Sequence, residues 1–387
     1  MSINRWMGVG RSSAPHPAIA AAELLEGALV GADPRLLTLF CSSSYDLEAL
    51  VAELNDRSGG VPLIGCSTAG EIGTSGPGDA SAVVTALGGS GFSVSTAAAK
   101  DASTRPREAG AEAASCLSGL EDKPHRVLLM LSDGLSGHQQ EIVRGAYGIA
   151  GATVPLVGGC AGDDLEMKAT YQVCGDLVLT DAVVAAAIGS DAPLGIGVRH
   201  GWTAVGEPMV VTKSDNNRVH MLDNKPALDV YLERLNAPDD AHTDPAAFTR
   251  FAITHPLGLS RRSNEPHVRF VGEADFATRS LICIAEVPQG ALVWIMQGDE
   301  DSVLKATDGA CADAIEMLDS PPLGFVAFDC IARRGVLGDE GIKFEVNRIS
   351  ELALGAPVSG FYTYGEIART RGISGFHNQT LVVLAVS

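Results

Sequence analysis

A mixed α/β fold of two subdomains, each with β-sheets flanked by helices, is what this sequence predicts. Two observations carry that reading, namely a strand-loop-helix-strand unit that recurs along the chain and hairpin-like strand pairs that rule out an all-parallel sheet. The 387 residues exceed the ~100–200 of one ordinary domain. With 46% apolar and 19% charged residues, the composition is that of a globular chain with a sizeable core.

In the first copy of the unit, Leu36 to Cys41 forms a strand and Ser42 to Asp46 a loop. Leu47, Leu50, Val51 and Leu54 then mark one face of a helix, and Pro62-Leu-Ile-Gly-Cys-Ser-Thr-Ala-Gly-Glu-Ile72 a second strand and turn. The second copy runs from Val127 to Leu131 through a helix with Ile142, Val143 and Ala146 to Pro155-Leu-Val-Gly-Gly-Cys-Ala-Gly-Asp-Asp164. A third, looser copy starts at Phe325 to Phe328 and ends at Pro357-Val-Ser-Gly-Phe-Tyr-Thr-Tyr-Gly-Glu-Ile367.

Between the second and third copies the pattern changes. Tyr171 to Val178 with Val183 to Ile188 reads as a hairpin, and Asp223-Asn-Lys-Pro226 as a cap with an N1 proline. Strands are expected at Val268 to Val271, Leu281 to Glu286 and Ala291 to Met296, and a periodic helix over 302–318. These changes divide the chain into an arm and helix over 1–34, one domain over 35–222 and another over 223–387.

A formal net charge of −19 repels phosphate backbones and anionic lipid, so nucleic acid and membrane surfaces are excluded as expected partners. No apolar run approaches ~18 residues, and the start, MSINRWMGVGRSS, lacks a secretory signal's apolar core. A cytoplasmic protein is the expectation. The eight cysteines are widely spaced with no Cys-x-x-Cys pair, which points to reduced, mostly buried thiols rather than a metal or disulfide framework.

Ligand-binding candidates lie at the ends of the repeated strands. Gly65, Cys66, Ser67 and Thr68 with Glu71 combine small residues, hydroxyls and exposed N–H groups suited to a carboxylate or phosphate, although a glycine turn needs no ligand. Asp163 stands in the matching turn of the second copy. Asp329, Cys330 and Arg333 offer a carboxylate, a thiol and a guanidinium at a strand end, or else a buried cysteine beside a structural ion pair. Tyr362, Tyr364 and Glu366 pair aromatic rings with an acid, and His377 with Asn378 leads into the last strand. Nothing resembles a catalytic signature; the alternative of a cysteine-dependent enzyme would use Cys66 or Cys330 and require a neighbouring base.

Taken in order, Phe40-Cys-Ser-Ser-Ser-Tyr-Asp46, Ile64-Gly-Cys-Ser-Thr-Ala-Gly-Glu-Ile72, Leu194-Gly-Ile-Gly-Val-Arg-His-Gly-Trp202, Phe328-Asp-Cys330, Gly360-Phe-Tyr-Thr-Tyr-Gly-Glu-Ile367 and His377-Asn-Gln-Thr380 resemble the FIST domains. The first half is similar to a FIST N domain and the second to a FIST C domain. The resemblance implies a non-enzymatic sensory module that binds a small molecule, an amino acid or a related metabolite, between its two subdomains. It also implies signalling to a separate histidine kinase or cyclic-dinucleotide enzyme, since no such region follows Ser387. Some members of the family are haem proteins that sense nitric oxide, for which His200, His255 and His377 are the axial candidates here; no other cofactor or metal is expected.

Overall fold

The computed structural model describes residues 5–120, 122–260, 267–370 and 375–387. Three stretches of chain repeat one order of elements, strand, helix, strand, helix and then four strands. Unit 1 consists of β1 (Trp6–Ser12), α1 (Pro17–Ala28), β2 (Pro34–Ser42), α2 (Leu47–Ser58), β3 (Leu63–Thr68), β4 (Glu71–Gly73), β5 (Gly76–Gly78) and β6 (Ala82–Gly88). Unit 2 consists of β7 (Phe92–Lys100), α3 (Pro106–Ala113), β8 (His125–Ser132), α4 (Gln139–Ala150), β9 (Leu156–Cys160), β10 (Gln172–Cys174), β11 (Leu177–Leu179) and β12 (Ala182–Ser190).

Unit 3 opens with β13 (Leu194–Arg199) and is then interrupted by an insert. The insert contains β14 (Thr203–Asp215), β15 (Arg218–Leu222), β16 (Lys225–Pro226), α5 (Ala227–Arg234), α6 (Pro245–Ala252), β17 (Leu257–Leu259), β18 (His267–Arg269), β19 (Val271–Asp275), β20 (Ser280–Cys283) and β21 (Leu292–Gln297). Unit 3 resumes with α7 (Glu300–Glu316), β22 (Gly324–Cys330), α8 (Ile331–Leu352), β23 (Val358–Thr363), β24 (Glu366–Arg369), β25 (Phe376–His377) and β26 (Leu381–Val386). The looser third copy of the sequence pattern is therefore a full structural repeat. Its longer spacing has a local cause, since α8 runs 22 residues where α2 and α4 each run 12.

Each unit lays four strands side by side in the same order, β1-β6-β2-β3, β7-β12-β8-β9 and β13-β26-β22-β23. The last pair in each order, β2/β3, β8/β9 and β22/β23, is parallel and joined by a crossover helix, and the other pairs are antiparallel. The remaining hairpin of each unit leaves its own sheet. Strands β4-β5 extend the third sheet beside β23, β10-β11 the first beside β3, and β24-β25 the second beside β9. The exchange is cyclic, so each sheet is completed by another unit. It also corrects the hairpin read from 171–178 and 183–188. Gln172–Cys174 turns back on Leu177–Leu179, while Ala182–Ser190 lies in a different sheet between β7 and β8.

One apolar core is shared by the inner faces of all three sheets. Phe40, Phe328 and Phe361 meet there with ring centroids 4.7–6.2 Å apart, alongside Leu129, Val157 and Val382. The outer faces lie under helices: Leu37 and Leu39 beneath α1 and α2, Leu128 and Met130 beneath α3 and α4, and Phe325 and Ala327 beneath α7 and α8. Strands buried on both faces must be apolar throughout, which is why Leu36–Cys41 reads as a continuous run rather than an alternation. Glycine lets helix and strand come close. A Cβ on Gly10 would stand 1.8 Å from the Leu24 carbonyl oxygen of α1, and one on Gly197 1.8 Å from that of Ala310 in α7.

The insert has a sheet and core of its own, with Met209, Leu228, Tyr231, Phe248 and Ile295 packed together. Its helix α5 begins at Ala227 with Pro226 at the N-cap, where no side chain caps it. Asp223, expected to cap, instead accepts the Val210 N–H at 2.8 Å within the sheet. The helix expected over 302–318 starts two residues earlier because Asp299 and Ser302 form a reciprocal capping box. Gln379 ties the insert to unit 3 by donating to the Ile253 carbonyl at 2.6 Å.

Candidate functional site

The turns that follow β3, β9 and β23 form a ring in which each is hydrogen-bonded to the next. Three equivalent bonds close it: Ser67 N–H to Tyr171 O (2.9 Å), Cys160 N–H to Gly365 O (2.8 Å) and Tyr362 N–H to Gly70 O (2.8 Å). The turns at 65–71 and 362–366 thus meet backbone to backbone. Strand register places Glu71, Gln172 and Glu366 at one equivalent position, opposite Phe361, Cys66 and Gly159.

Both acids at that position are fully buried and engaged. Glu71 lies 2.5 Å from the Thr68 hydroxyl and accepts from the Ser81 hydroxyl at 2.5 Å and N–H at 3.2 Å. Glu366 lies 2.6 Å from the Thr363 hydroxyl and accepts the Thr380 N–H at 3.1 Å. Burial pushes their carboxyls up to about 7 and about 8, against the opposing pull of these bonds. Gln172 shows what the position needs: its amide donates to Thr170 (3.1 Å) and its oxygen accepts the Ala182 N–H (3.3 Å).

A second buried cluster stands at the end of β22. Arg333 donates from Nε to Asp329 (2.7 Å), and from Nη2 to Glu345 (2.5 Å) and Thr307 (3.0 Å). Burial, reinforced by Glu345, lifts the Asp329 carboxyl well above its usual range, against the pull of the Arg333 guanidinium. Tyr362 packs here under Arg334, whose guanidinium is 5.1 Å from the ring and bonded to Asp79 at 2.7 and 2.9 Å. Cys66 and Cys330 lie fully inside, and burial raises both thiols well above the ordinary value, the direction opposite to that of an activated nucleophile.

Asp163, buried, and Tyr364, half-buried, tie the loop after β9 to the ring. The Tyr364 hydroxyl donates to Asp163 at 2.5 Å and accepts the Leu165 N–H at 2.8 Å. The N–H groups of Met167 (3.0 Å), Lys168 (2.6 Å) and Ala169 (3.1 Å) complete the carboxylate's partners. Burial works to raise Asp163, but these donors outweigh it and hold the carboxyl below its usual range.

Beside Tyr364 opens a cleft of about 390 Å³ where unit 2, unit 3 and the insert converge. Its walls include Tyr364 and Phe376, Arg144 of α4, and Asn216, Asn217 and Glu286 of the insert. Arg144 pairs with Glu141 and, at 3.8 Å, with Glu286. Of the residues singled out from sequence, Tyr364 alone is among its walls. Arg144, Asn217 and Glu286 sit on a helix face, in a strand turn and past a strand end, without a local pattern to mark them.

His377 and Asn378 lie behind Phe376. The His377 ring is engaged at both nitrogens, with Ala368 O (3.1 Å) and with His267 (3.1 Å), and Asn378 accepts from Thr380 in the turn. His200 accepts the Trp202 N–H at 2.9 Å. His255 stacks on Phe251 with Nδ1 2.8 Å from the Phe251 carbonyl. None of these three histidines is among the cleft's walls.

The profile of the FIST N domain matches residues 35–225 and that of the FIST C domain residues 227–369. The chain belongs to the FIST family. FIST domains are generally sensory signal-transduction domains. Among relatives, an uncharacterized protein of Methanocaldococcus jannaschii is 24% identical over 58% of this chain and 47% of its own length. An uncharacterized protein of Mycobacterium tuberculosis is 28% identical over 47% of this chain and 48% of its own. The FIST chain thus spans about half the length of the curated relatives it matches. A cyanuric acid hydrolase from A. caulinodans aligns with a TM-score of 0.28 at 9% identity, over 48% of this chain and 71% of that one. That likeness is too weak to assign a fold or an activity. Among the described residues, no helix is long and apolar enough to cross a membrane.

Proposed function

We propose that this FIST protein senses a small polar metabolite, an amino acid or a close relative, in the cleft between unit 2, unit 3 and the insert. It passes the signal to a separate protein, of which a histidine kinase or a cyclic-dinucleotide enzyme is the expected kind. The observation that carries the reading is the cleft itself, where aromatic faces of unit 3 (Tyr364, Phe376) stand with a cation (Arg144), an acid (Glu286) and amides of unit 2 and the insert. A ligand there shifts the insert against the repeats only by binding one arrangement better than another.

Arg144 is half-exposed, so replacing it should disturb folding by no more than about 0.5 kcal/mol. It should cost a carboxylate-bearing ligand about tenfold or more in affinity. Thermal-shift screening of free amino acids followed by calorimetry on Arg144→Ala is the test. An amino acid that binds the variant as tightly as the wild type does not use this cleft.

A haem-based reading rests on His255, whose Nδ1 contact to a carbonyl is the usual support for an axial ligand bound through Nε2. The engagement of both ring nitrogens of His377 does not fit that role. The haem reading requires a Soret band when hemin is added, lost in His255→Ala.

A further inference from the structure

The loop after β9 is the least expected piece of surface in the molecule. Asp164, Leu165 and Met167 all take left-handed backbone conformations, with φ of 55°, 65° and 54°. Leucine and methionine rarely adopt that region, and such residues persist where the surroundings fix them. Here they are fixed on both sides: the Asp163 carboxylate takes three successive N–H groups of the loop, and the Asp164 carboxylate accepts from the Ser42 and Ser43 hydroxyls at 2.8 and 3.1 Å.

This rigid frame does not bury the side chains it carries. Leu165 and Met167 are each 60% exposed. Two apolar side chains held out to solvent by a strained, fully hydrogen-bonded loop form a preorganised contact, which loses little conformational freedom when it is covered. On the loop itself the Asp164 and Glu166 carboxylates outnumber the one cation, Lys168, which pairs with Glu166 at 3.0 Å, in a chain whose net charge is already −19.

We propose that the 164–167 loop is the docking surface for a partner protein that offers an apolar pocket framed by lysine and arginine. Leu165 and Met167 enter the pocket, and the acidic surround steers and orients the approach. Tyr364 gives the surface its regulation, because one side chain both walls the cleft and holds Asp163 and Leu165 through its hydroxyl. That regulatory step rests on the ligand cleft proposed above; the surface itself stands on the loop.

The experiment places a photo-crosslinking benzophenone amino acid at position 165 of the full chain in cells and, as a control, at position 354, where Leu354 is also exposed. The protein captured at 165 and not at 354 is identified, purified and titrated against the wild type. The proposal expects Leu165→Ser/Met167→Ser to weaken that binding at least tenfold while Leu354→Ser leaves it unchanged, and expects 0.5 M salt to weaken it too. Capture of only a second copy of this chain or of lipid, no capture, or binding indifferent to the double substitution overturns it. Binding that needs Leu165 and Met167 but ignores every amino acid tested, with Tyr364→Phe behaving as wild type, supports the surface and overturns the cleft reading.

Discussion

Arg333→Leu is expected to lower the unfolding free energy by about 3–5 kcal/mol, because it strands the Asp329 and Glu345 carboxyls where water does not reach. Leucine covers much of the arginine's stem, so the loss reports the missing charge more than a cavity. Adding Asp329→Leu and Glu345→Met should recover most of it, since a buried ion pair replaced whole by apolar groups is often neutral. Urea unfolding of the single and triple variants separates the terms. A single variant within about 1 kcal/mol of wild type would show that Arg333 is not the counter-ion that the structure draws.

The second large effect is on pH. Glutamate in the unfolded chain ionises near 4.5, whereas burial holds Glu71 at about 7 and Glu366 at about 8 in the folded chain. Below about pH 4 both states keep their protons and the contribution is whole. As pH rises, the unfolded chain ionises first and stability falls, until about pH 7 for Glu71 and about pH 8 for Glu366. At roughly 1.4 kcal/mol per pH unit the loss from Glu71 is about 3 kcal/mol, and that from Glu366 somewhat more. Glu71→Gln/Glu366→Gln should therefore lose less stability than the wild type as pH rises from 5 to 8.5. Asp329 is raised in both proteins and cancels from the comparison. If the double variant keeps the wild-type slope, the two carboxyls are not held neutral.

Gln172 makes that substitution reasonable and also shows what the sequence hides. The three-residue hairpin that carries it, Gln172–Cys174 with Leu177–Leu179, has too few residues for a periodicity. The equivalence with Glu71 and Glu366 appears only when the hairpins are seen lying in their neighbours' sheets. What was legible came from long apolar strands and helix faces, as in Leu36–Cys41 with Leu47, Leu50 and Leu54, whose pattern is local. The insert was readable as a change of pattern near residue 222, but its start at β14 was not, because Gly206 and Pro208 interrupt Thr203–Asp215 and its exposed first half has no alternation to mark a strand.

The candidate site divides along the same line. Tyr364 and Asp163 stand in glycine-bearing turns that repeat in the sequence, so they could be picked out. Glu71 and Glu366 stand in such turns too, and Arg333 follows a strand end with Asp329 and Cys330; the structure gives all three interior partners. Arg144, Asn216, Asn217, Glu286 and Phe376 come together only through the way the insert rests on unit 2. Surface polar residues on separate elements carry no signal of their convergence.

The cyclic exchange of hairpins bears on how the chain is made. Glu71 pairs with Phe361, and the closing strand Leu381–Val386 lies between β13 and β22. A nascent chain emerging at about 5–20 residues per second can form the helices and parallel strand pairs of unit 1 early. The hairpin at 71–78 has no sheet to join until β23 has been synthesised. For that interval its edge is open to whatever else in the cell can add a strand, so a hairpin made in the first unit waits unsealed until most of the third has followed it.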